Sequence, residues 1–398
     1  MRDSLLGLPI TESDWVVVGS TEDEMLERGY RRVGKDFPVF LHPQTHEEYA
    51  LARTERKKGK GYYGFECHAS PDVTLEEDLS RRDLTINAMA ETLEGEIIDP
   101  FDGRQDLQDK ILRHVSPAFV EDPVRILRVA RFLARFSPMG FRVAPETLRL
   151  MQQIVKEGEV EELVPERVWQ EMDRALKEAA PTQFFECLRS CHALKILWPS
   201  LDKLWGVPQK AEYHPEIDTG VHTMMALDMA CRLTEDPITR FAALCHDLGK
   251  GETPPEEWPS HKMHEERGVS LIQAFCKHYR VPHDYRDLAI LVSRYHLHLH
   301  KLEELKPGTV LELLESVDVF RKPKRFDQFL LACEADARGR KGKEEIPYLQ
   351  SNILRKAVEA ALSVDVQLII KDGVEGEALR DKIRQRRILA IKKALGFD

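Results

Sequence analysis

The hydrophobic rhythm of the chain changes about a quarter of the way along. Residues 14–19 read Asp-Trp-Val-Val-Val-Gly and residues 37–41 read Phe-Pro-Val-Phe-Leu, short β-branched or aromatic runs bounded by Gly and Pro. Glu48 to Ala52 is a third strand-like run. It leads into five bases among the eight residues 53–60, followed by Tyr62, Tyr63 and Phe65, a pattern that predicts a mobile basic loop. Thr74-x-x-Glu77 has the spacing of a capping box, and Glu96 to Pro100 followed by Asp102-Gly103 reads as strand then turn. Beyond Leu107 apolar residues recur at helical spacing. The segments 123–136, 145–157, 165–179 and 181–196 are predicted helices, each with Pro near its start, where a missing N–H costs nothing. A break at Pro208 to Pro215 precedes a stretch holding ten of the fifteen histidines, His214 to His300. From about Phe320 the chain is charged and helical, with loop signals at Gly339 to Gly342 and a basic run at Arg384 to Arg387.

Composition narrows the picture. The 398 residues are enough for roughly two to three domains. Lys and Arg number 58 against 68 Asp and Glu, a net charge of −10, which excludes a polycationic coat protein and makes any nucleic-acid contact local. No apolar run approaches the ~18 residues of a membrane span, and Met1 to Leu6 lacks the apolar core of a secretory signal, so a cytoplasmic address with no membrane partner is expected. Seven cysteines without a Cys-x-x-Cys pair predict reduced core residues rather than a disulfide framework or thiolate zinc site.

Three groups of residues carry candidate chemistry. Glu12 and Asp14, two apart where a strand begins, project to one face and can share a cation. Paired carboxylates of this kind hold Mg²⁺ for phosphoryl transfer; the plainer reading is two solvated acids. On a helix over 123–136, Arg125, Arg128, Arg131 and Arg135 fall within about 120° of one another beside an apolar face. Such a stripe fits an anionic ligand, or equally pairing with nearby Asp and Glu. Asp122 before Pro123 reads as the cap of that helix. His246-Asp247-Leu248-Gly249-Lys250 follows an apolar helix, with His222 upstream and His261, His264, His296, His298 and Asp318 downstream, donors that suit a divalent ion with open positions.

The motifs Arg-Asp-Ser-Leu-Leu-Gly (2–7), Arg-Arg-Asp-x-x-x-Asn-Ala (81–88), Glu-Asp-x-x-Arg-x-x-Arg (121–128) and His-Asp-Leu-Gly-Lys (246–250) together resemble the class II tRNA nucleotidyltransferases, the CCA-adding enzymes, of the bacterial kind with an HD domain. The resemblance implies an α+β fold. A polymerase-β-like nucleotidyltransferase head with a mixed sheet would span 1–115, an all-α neck and body 116–210, an all-α HD domain 211–320 and a helical tail 321–398. It implies addition and repair of the tRNA 3′ CCA end without a template, using CTP and ATP, with Mg²⁺ on Glu12 and Asp14. Asp122 and Arg125 would read the incoming base. Cytosine and adenine both offer an amine donor beside a ring-nitrogen acceptor, the complement of a carboxylate beside a guanidinium. Arg2, Arg82, Arg128 and Arg131 would hold the nucleotide.

The HD signature implies a phosphohydrolase acting as phosphatase, 2′,3′-cyclic phosphodiesterase and 2′-nucleotidase, with Ni²⁺ as the effective ion. His222, His246, Asp247 and Asp318 would be its ligands, and His296 a further ligand or phosphate contact. The family normally has a strand and a Gly-Gly anion nest just before Arg2-Asp3, so a head truncated there is expected; Glu12 stands where the family usually has Asp. A monomer or homodimer is expected. The alternatives are a bacterial poly(A) polymerase, an HD phosphohydrolase whose head only binds RNA, and a non-catalytic RNA-binding protein.

Overall fold

The computed structural model describes residues 1–10, 13–33, 38–57, 65–371 and 373–396, with backbone alone for 55–57 and 65–67. Two compact units, Met1–Leu197 and Trp198–Asp398, divide the chain.

The first unit begins with α1 (Arg2–Leu5), β1 (Asp14–Val17), α2 (Glu22–Glu27), β2 (Arg31–Arg32), β3 (Val39–Leu41) and β4 (Glu48–Leu51). The strands lie in the order β1-β4-β3-β2; β1 runs parallel to β4, and the other pairs are antiparallel. Alternation gives the sheet two faces. Phe40, Leu51 and Met25 form a small core with Val17 and Tyr49, and Trp15 stacks on Tyr49 at 5.5 Å. Glu48 and Ala50 therefore face the other way. The parallel register sets Asp14 opposite Glu48.

The predicted basic loop needs correction: its start is a strand, β5 (Thr54–Lys57), paired antiparallel with β6 (Phe65–His68). Lys58, Lys60, Tyr62 and Tyr63 lie outside the described residues, as does Glu12. Next comes α3 (Leu75–Ser80), whose capping box forms as its sequence predicts. Glu77 N donates to Thr74 Oγ1 at 3.2 Å, and Thr74 N donates to the Glu77 carboxylate at 2.9 Å. Short strands β7 (Ala90–Glu91), β8 (Ile97–Ile98), β9 (Ile111–Leu112) and β10 (Arg142–Val143) frame α4 (Gly103–Asp109) and α5 (Val124–Phe136). Then follow α6 (Pro145–Lys156), α7 (Pro165–Leu176), α8 (Thr182–Ser190) and α9 (Ala193–Leu197). The segment predicted as one helix over 181–196 breaks at His192, which is left-handed at φ 67°.

The second unit is helical: α10 (Pro199–Asp202), α11 (Thr219–Leu233), α12 (Pro237–Cys245), α13 (His264–His278), α14 (His283–His300), α15 (Pro307–Val317), α16 (Pro323–Arg338), α17 (Leu349–Leu362), α18 (Val366–Lys371) and α19 (Gly376–Leu395). Asp218 and Asp236 cap α11 and α12 by accepting from Val221 N and Thr239 N. Trp198, Phe241 and Phe275 stack in its core. The basic run Arg384 to Arg387 is part of α19. Among the described residues no helix is long and apolar enough to cross a membrane, and six cysteines carry free thiols, five of them buried.

One buried acid ties the motifs of the first unit together. Asp83 is 5% exposed and accepts from Leu84 N (2.9 Å), Asn87 Nδ2 (2.8 Å) and Arg128 Nε (2.6 Å). Burial opposes its charge, but the Arg128 guanidinium and these hydrogen bonds outweigh burial and hold its pKa at about 2. A folded pKa below the ordinary 3.8 means stability present above pH 3.8 and lost as pH falls towards 2. Asp83→Asn should lower the free energy of urea unfolding by about 2 kcal/mol at neutral pH. The deficit should shrink between about pH 4 and 2, as unfolding titrations across that range would show.

Candidate functional site

In the first unit a cavity of about 450 Å³ opens between the acidic sheet face and the helices. Asp14 and Glu48 stand on its sheet side with Trp15, Val39 and Ala50; Arg53, Arg81, Arg82, Asp83, Asn87, Asp122, Arg125, Arg128 and Arg167 complete the lining. Adjacent carboxylates on paired strands suit a hard divalent cation, which takes oxygen ligands. The cavity lies within the range that accommodates a small-molecule ligand.

The guanidinium groups are held by the protein. Arg81 and Arg82 pair with buried Asp78 at 2.6 and 3.2 Å, and Arg82 Nε is buried without a hydrogen-bond partner. Arg125, only 6% exposed, donates from Nη1 to Ala118 O (2.6 Å) and from Nη2 to Arg81 O (2.5 Å). Asp122 has two partners: Val124 N donates to its Oδ1 at 3.1 Å, although the residue capping α5 is Pro123, and Arg167 Nη2 donates to its Oδ2 at 2.8 Å. The predicted template acid therefore meets Arg167, from the first turn of α7, as well as lying beside Arg125 in the lining.

Two predicted nucleotide contacts are turned elsewhere. Arg131 is 8% exposed and pairs with Glu171 at 2.6 Å. Arg2 binds Asp3 and Asn87, with its guanidinium 4.8 Å from the Phe132 ring centroid. Neither lines the cavity.

In the second unit five elements converge on a buried cluster. His222 comes from α11, His246 and Asp247 follow α12, His264 opens α13, His296 lies in α14 and Asp336 in α16. All are at most 5% exposed. His222 Nε2 is 3.1 Å from Asp336 Oδ1, and His246 Nε2 is 3.0 Å from Asp247 Oδ2 and 3.6 Å from Asp336 Oδ1. Two of these spacings fall on the edges of a coordination polyhedron with bonds of about 2.1 Å, roughly 3.0–3.5 Å, and the third lies just beyond. Behind the first histidine, Glu216 Oε1 lies 3.0 Å from His222 Nδ1, outside hydrogen-bond geometry. His246 Nε2 and Asp247 Oδ1 are buried without a hydrogen-bond partner, so the donor set fits a divalent ion.

Charge in this cluster is strongly biased. Burial resists ionisation of Asp247, yet His246 and Lys250 pull its pKa well below the ordinary carboxylate value; Arg340 and His246 do the same for Asp336. Burial resists protonation of His246 too, but the two carboxylates prevail and raise its pKa. Lys250 Nζ donates to Asp247 Oδ2 at 2.6 Å and to Gln209 Oε1 at 2.5 Å. Gly249 is dictated by contact: a Cβ there would sit 1.9 Å from His264 O and 2.6 Å from Gly268 N, so glycine alone lets the His-Asp turn touch α13.

Asp318 does not join the cluster. It is the left-handed residue ending α15 (φ 61°) and pairs with Arg321 (2.7 Å) and Arg325 (3.3 Å). The acid that does take part is Asp336, beyond residue 320 in the stretch expected to be tail. His261 uses both ring nitrogens elsewhere, towards Thr253 Oγ1 and Pro208 O, each at 2.7 Å. His298 packs against Tyr295.

Family models match along the chain: a poly A polymerase head domain over 1–113, a probable RNA- and SrmB-binding site of polymerase A over 140–204, and an HD domain over 219–337. Among curated relatives, the multifunctional CCA protein of Thioalkalivibrio sulfidiphilus is 60% identical over 393 residues, 99% of this chain and 96% of that protein. That of Nitrosococcus oceani is 60% identical over 395 residues, covering 99% and 97%. The chain belongs to the multifunctional CCA protein family.

Solved structures agree on the fold. A CCA-adding enzyme in an apo form matches with a TM-score of 0.66 at 23% identity, covering 99% of this chain and 85% of that one. A Thermotoga maritima CCA-adding enzyme complexed with tRNA matches at 0.63 and 22%, covering 100% and 86%. The chain is a CCA-adding nucleotidyltransferase with an HD domain, in an α+β fold. Its HD span includes Asp336. Asp336→Asn should weaken divalent-ion binding at this cluster at least tenfold in calorimetric titration of the folded protein, whereas Asp318→Asn should leave it unchanged.

Proposed function

We propose that the chain builds and repairs the tRNA 3′ CCA end from CTP and ATP in the head cavity, and hydrolyses phosphate esters at the HD cluster. The observation that carries the first part is one cavity bounded by Asp14 and Glu48 on one side and by Asp122, Arg125, Arg128 and Arg167 on the other. In this reading the head, to about residue 115, handles the triphosphate, and the segment from 116 to about 210 selects the base and grips tRNA.

Asp14 and Glu48, with Glu12, would hold Mg²⁺, which supplies charge compensation to the triphosphate and acidifies the attacking hydroxyl. The tRNA 3′ oxygen bonds to the α-phosphorus, the bond from that phosphorus to the bridging oxygen breaks, and pyrophosphate leaves. Asp122 accepts from the exocyclic amine of cytosine or adenine, and Arg125 or Arg167 donates to the ring nitrogen. Uracil and guanine would set a carbonyl against the carboxylate and an N–H against the guanidinium, leaving buried polar groups unpaired. Arg82 and Arg128 face the triphosphate. Their ion pairs with Asp78 and Asp83 fix them before a nucleotide arrives, which limits the ordering cost of binding.

At the HD cluster His222, His246, Asp247 and Asp336 would hold a divalent ion, with Ni²⁺ our choice, whose Lewis acidity polarises a phosphoryl oxygen. Lys250, at the rim of that set, is positioned to bind a phosphate oxygen. Phosphomonoesters, 2′,3′-cyclic phosphates and 2′-nucleotides are the proposed substrates, chemistry suited to damaged RNA ends.

Two assays test the pair of activities. With tRNA lacking its 3′ end, Asp14→Asn should cut CMP and AMP incorporation about a thousandfold. Reversing polarity at Asp122 and Arg125 should lower kcat/KM for CTP and ATP relative to UTP and GTP by tenfold or more; unchanged selectivity would reject the template. With a phosphomonoester and Ni²⁺, His246→Ala and Asp247→Ala should each abolish hydrolysis while CCA addition continues.

A further inference from the structure

We propose that the second unit carries an RNA surface of its own, a cationic face built from the start of α16 and the basic run of α19, which holds backbone phosphates of the double-helical body of tRNA. This rests on the reading of tRNA as substrate and extends it to a region outside the 140–204 stretch matched as RNA-binding. The chain as a whole carries a net charge of −10 and repels a polyanion, so it can hold RNA only where cations are collected in one place. Two stretches are free of acids. Residues 319–326 contain Arg321, Lys322, Lys324 and Arg325, and residues 382–396 contain the run Arg384, Arg386 and Arg387.

The fold brings these two stretches together. The Arg387 guanidinium lies 4.1 Å from the ring centroid of Phe320, the residue before Arg321. Three residues earlier on α19, Arg384 pairs with Glu312 at 3.0 Å and with Glu315, both exposed on α15. Asp318, which closes α15 in a left-handed conformation, accepts from Arg321 Nε at 2.7 Å and from Arg325 Nη2 at 3.3 Å. The acids at this junction therefore anchor arginines, and each guanidinium keeps donors beyond those its acid accepts. Lys322, Lys324 and Arg386 differ. All three are exposed, and among the described residues no side-chain ion pair or hydrogen bond engages them.

Folding alone does not account for this placement. Lys324 and Arg325 sit in the first turn of α16, which has no acid, although the helix dipole there favours anions and disfavours cations. A phosphate lying over that turn would satisfy both the dipole and the side chains. Phosphate is also the part of RNA that the face fits. Stacking on bases requires an open aromatic plane, and the ring beside these cations, Phe320, is covered by Arg387. Phosphate contacts position a nucleic acid without reading its sequence, which suits a substrate defined by its 3′ end.

Binding of the full chain to fluorescently labelled tRNA lacking its 3′ end, followed by anisotropy over a range of KCl concentrations, tests this. Lys322→Glu/Lys324→Glu/Arg386→Glu should raise the Kd at least tenfold near physiological salt and lower the slope of log Kd against log salt by about two to three. The KM for tRNA should rise in step, with kcat and the KM for CTP within about twofold of the parent. Lys322→Arg/Lys324→Arg/Arg386→Lys, which keeps the charges, should bind as the parent does. Parental affinity and slope in the Glu variant would overturn the surface, and so would an affinity loss with an unchanged slope, the mark of an indirect effect on the fold. Parental tRNA affinity together with lost adhesion to vesicles of anionic lipid would overturn it in favour of a membrane. A wild-type chain that does not bind tRNA would overturn the substrate reading as well.

Discussion

A carboxylate buried away from water must have a cation beside it, and this constraint organises both halves of the chain. In the first unit the cations are guanidinium groups: Arg81 and Arg82 for Asp78, and Arg128 for Asp83. In the second unit Lys250 serves Asp247, while Arg340 serves Asp336. The difference lies in what remains. Asp83 accepts three hydrogen bonds and is satisfied. Asp247 has one oxygen with no hydrogen-bond partner and a ring of imidazole nitrogens around it. A satisfied acid makes a scaffold; an unsatisfied one makes a site for an ion.

The motifs of the head consequently do two things at once. Arg-Arg-Asp-x-x-x-Asn supplies Asp83 and Asn87, and Glu-Asp-x-x-Arg-x-x-Arg supplies the Arg128 that neutralises Asp83, so the two motifs clasp each other across 45 residues of sequence. The same arginines line the cavity. Pairing with protein acceptors, an alternative to ligand binding when only the sequence is considered, is here compatible with it. A guanidinium carries five N–H donors in a fixed fork, and one ion pair can orient the group while leaving donors for a phosphate or a base. Arg131 differs, because Glu171 holds it in a buried pair away from the cavity.

What the sequence revealed follows from the range of each interaction. Strands β1, β3 and β4, the Thr74 cap and the proline-led helices depend on neighbours within a turn or two, and periodicity and capping chemistry exposed them. So did the His-Asp-Leu-Gly-Lys turn, where function and fold are local. Glu48 was hidden because its pairing with Asp14 is set by which strand lies beside β1, a choice no local pattern encodes. Arg167 was hidden similarly, since α7 must fold against α5 before it reaches Asp122. Asp336 meets His222 across 114 residues from the last turn of a charged helix, where an acid ordinarily reads as solvated. Asp318 looked better placed in sequence, but its left-handed backbone and two arginines make it a helix terminus.

The placement of Asp336 also shows how the protein's own contacts fix one side of the cluster. His300 Nε2 approaches Asp336 Oδ2 at 2.5 Å, and His300 Nδ1 lies 2.8 Å from the Tyr348 hydroxyl, so a three-residue chain ties α16 to α14 and to the start of α17. Arg340 adds a contact to Oδ1 at 3.0 Å. A carboxylate fixed from several sides cannot turn away from the cluster. An ion arriving there would meet acids already in place and would share them with the resident cations Lys250 and Arg340. Rigid ligands favour binding and resident cations weaken it, a balance that suits an exchangeable ion better than one locked in as a structural pin.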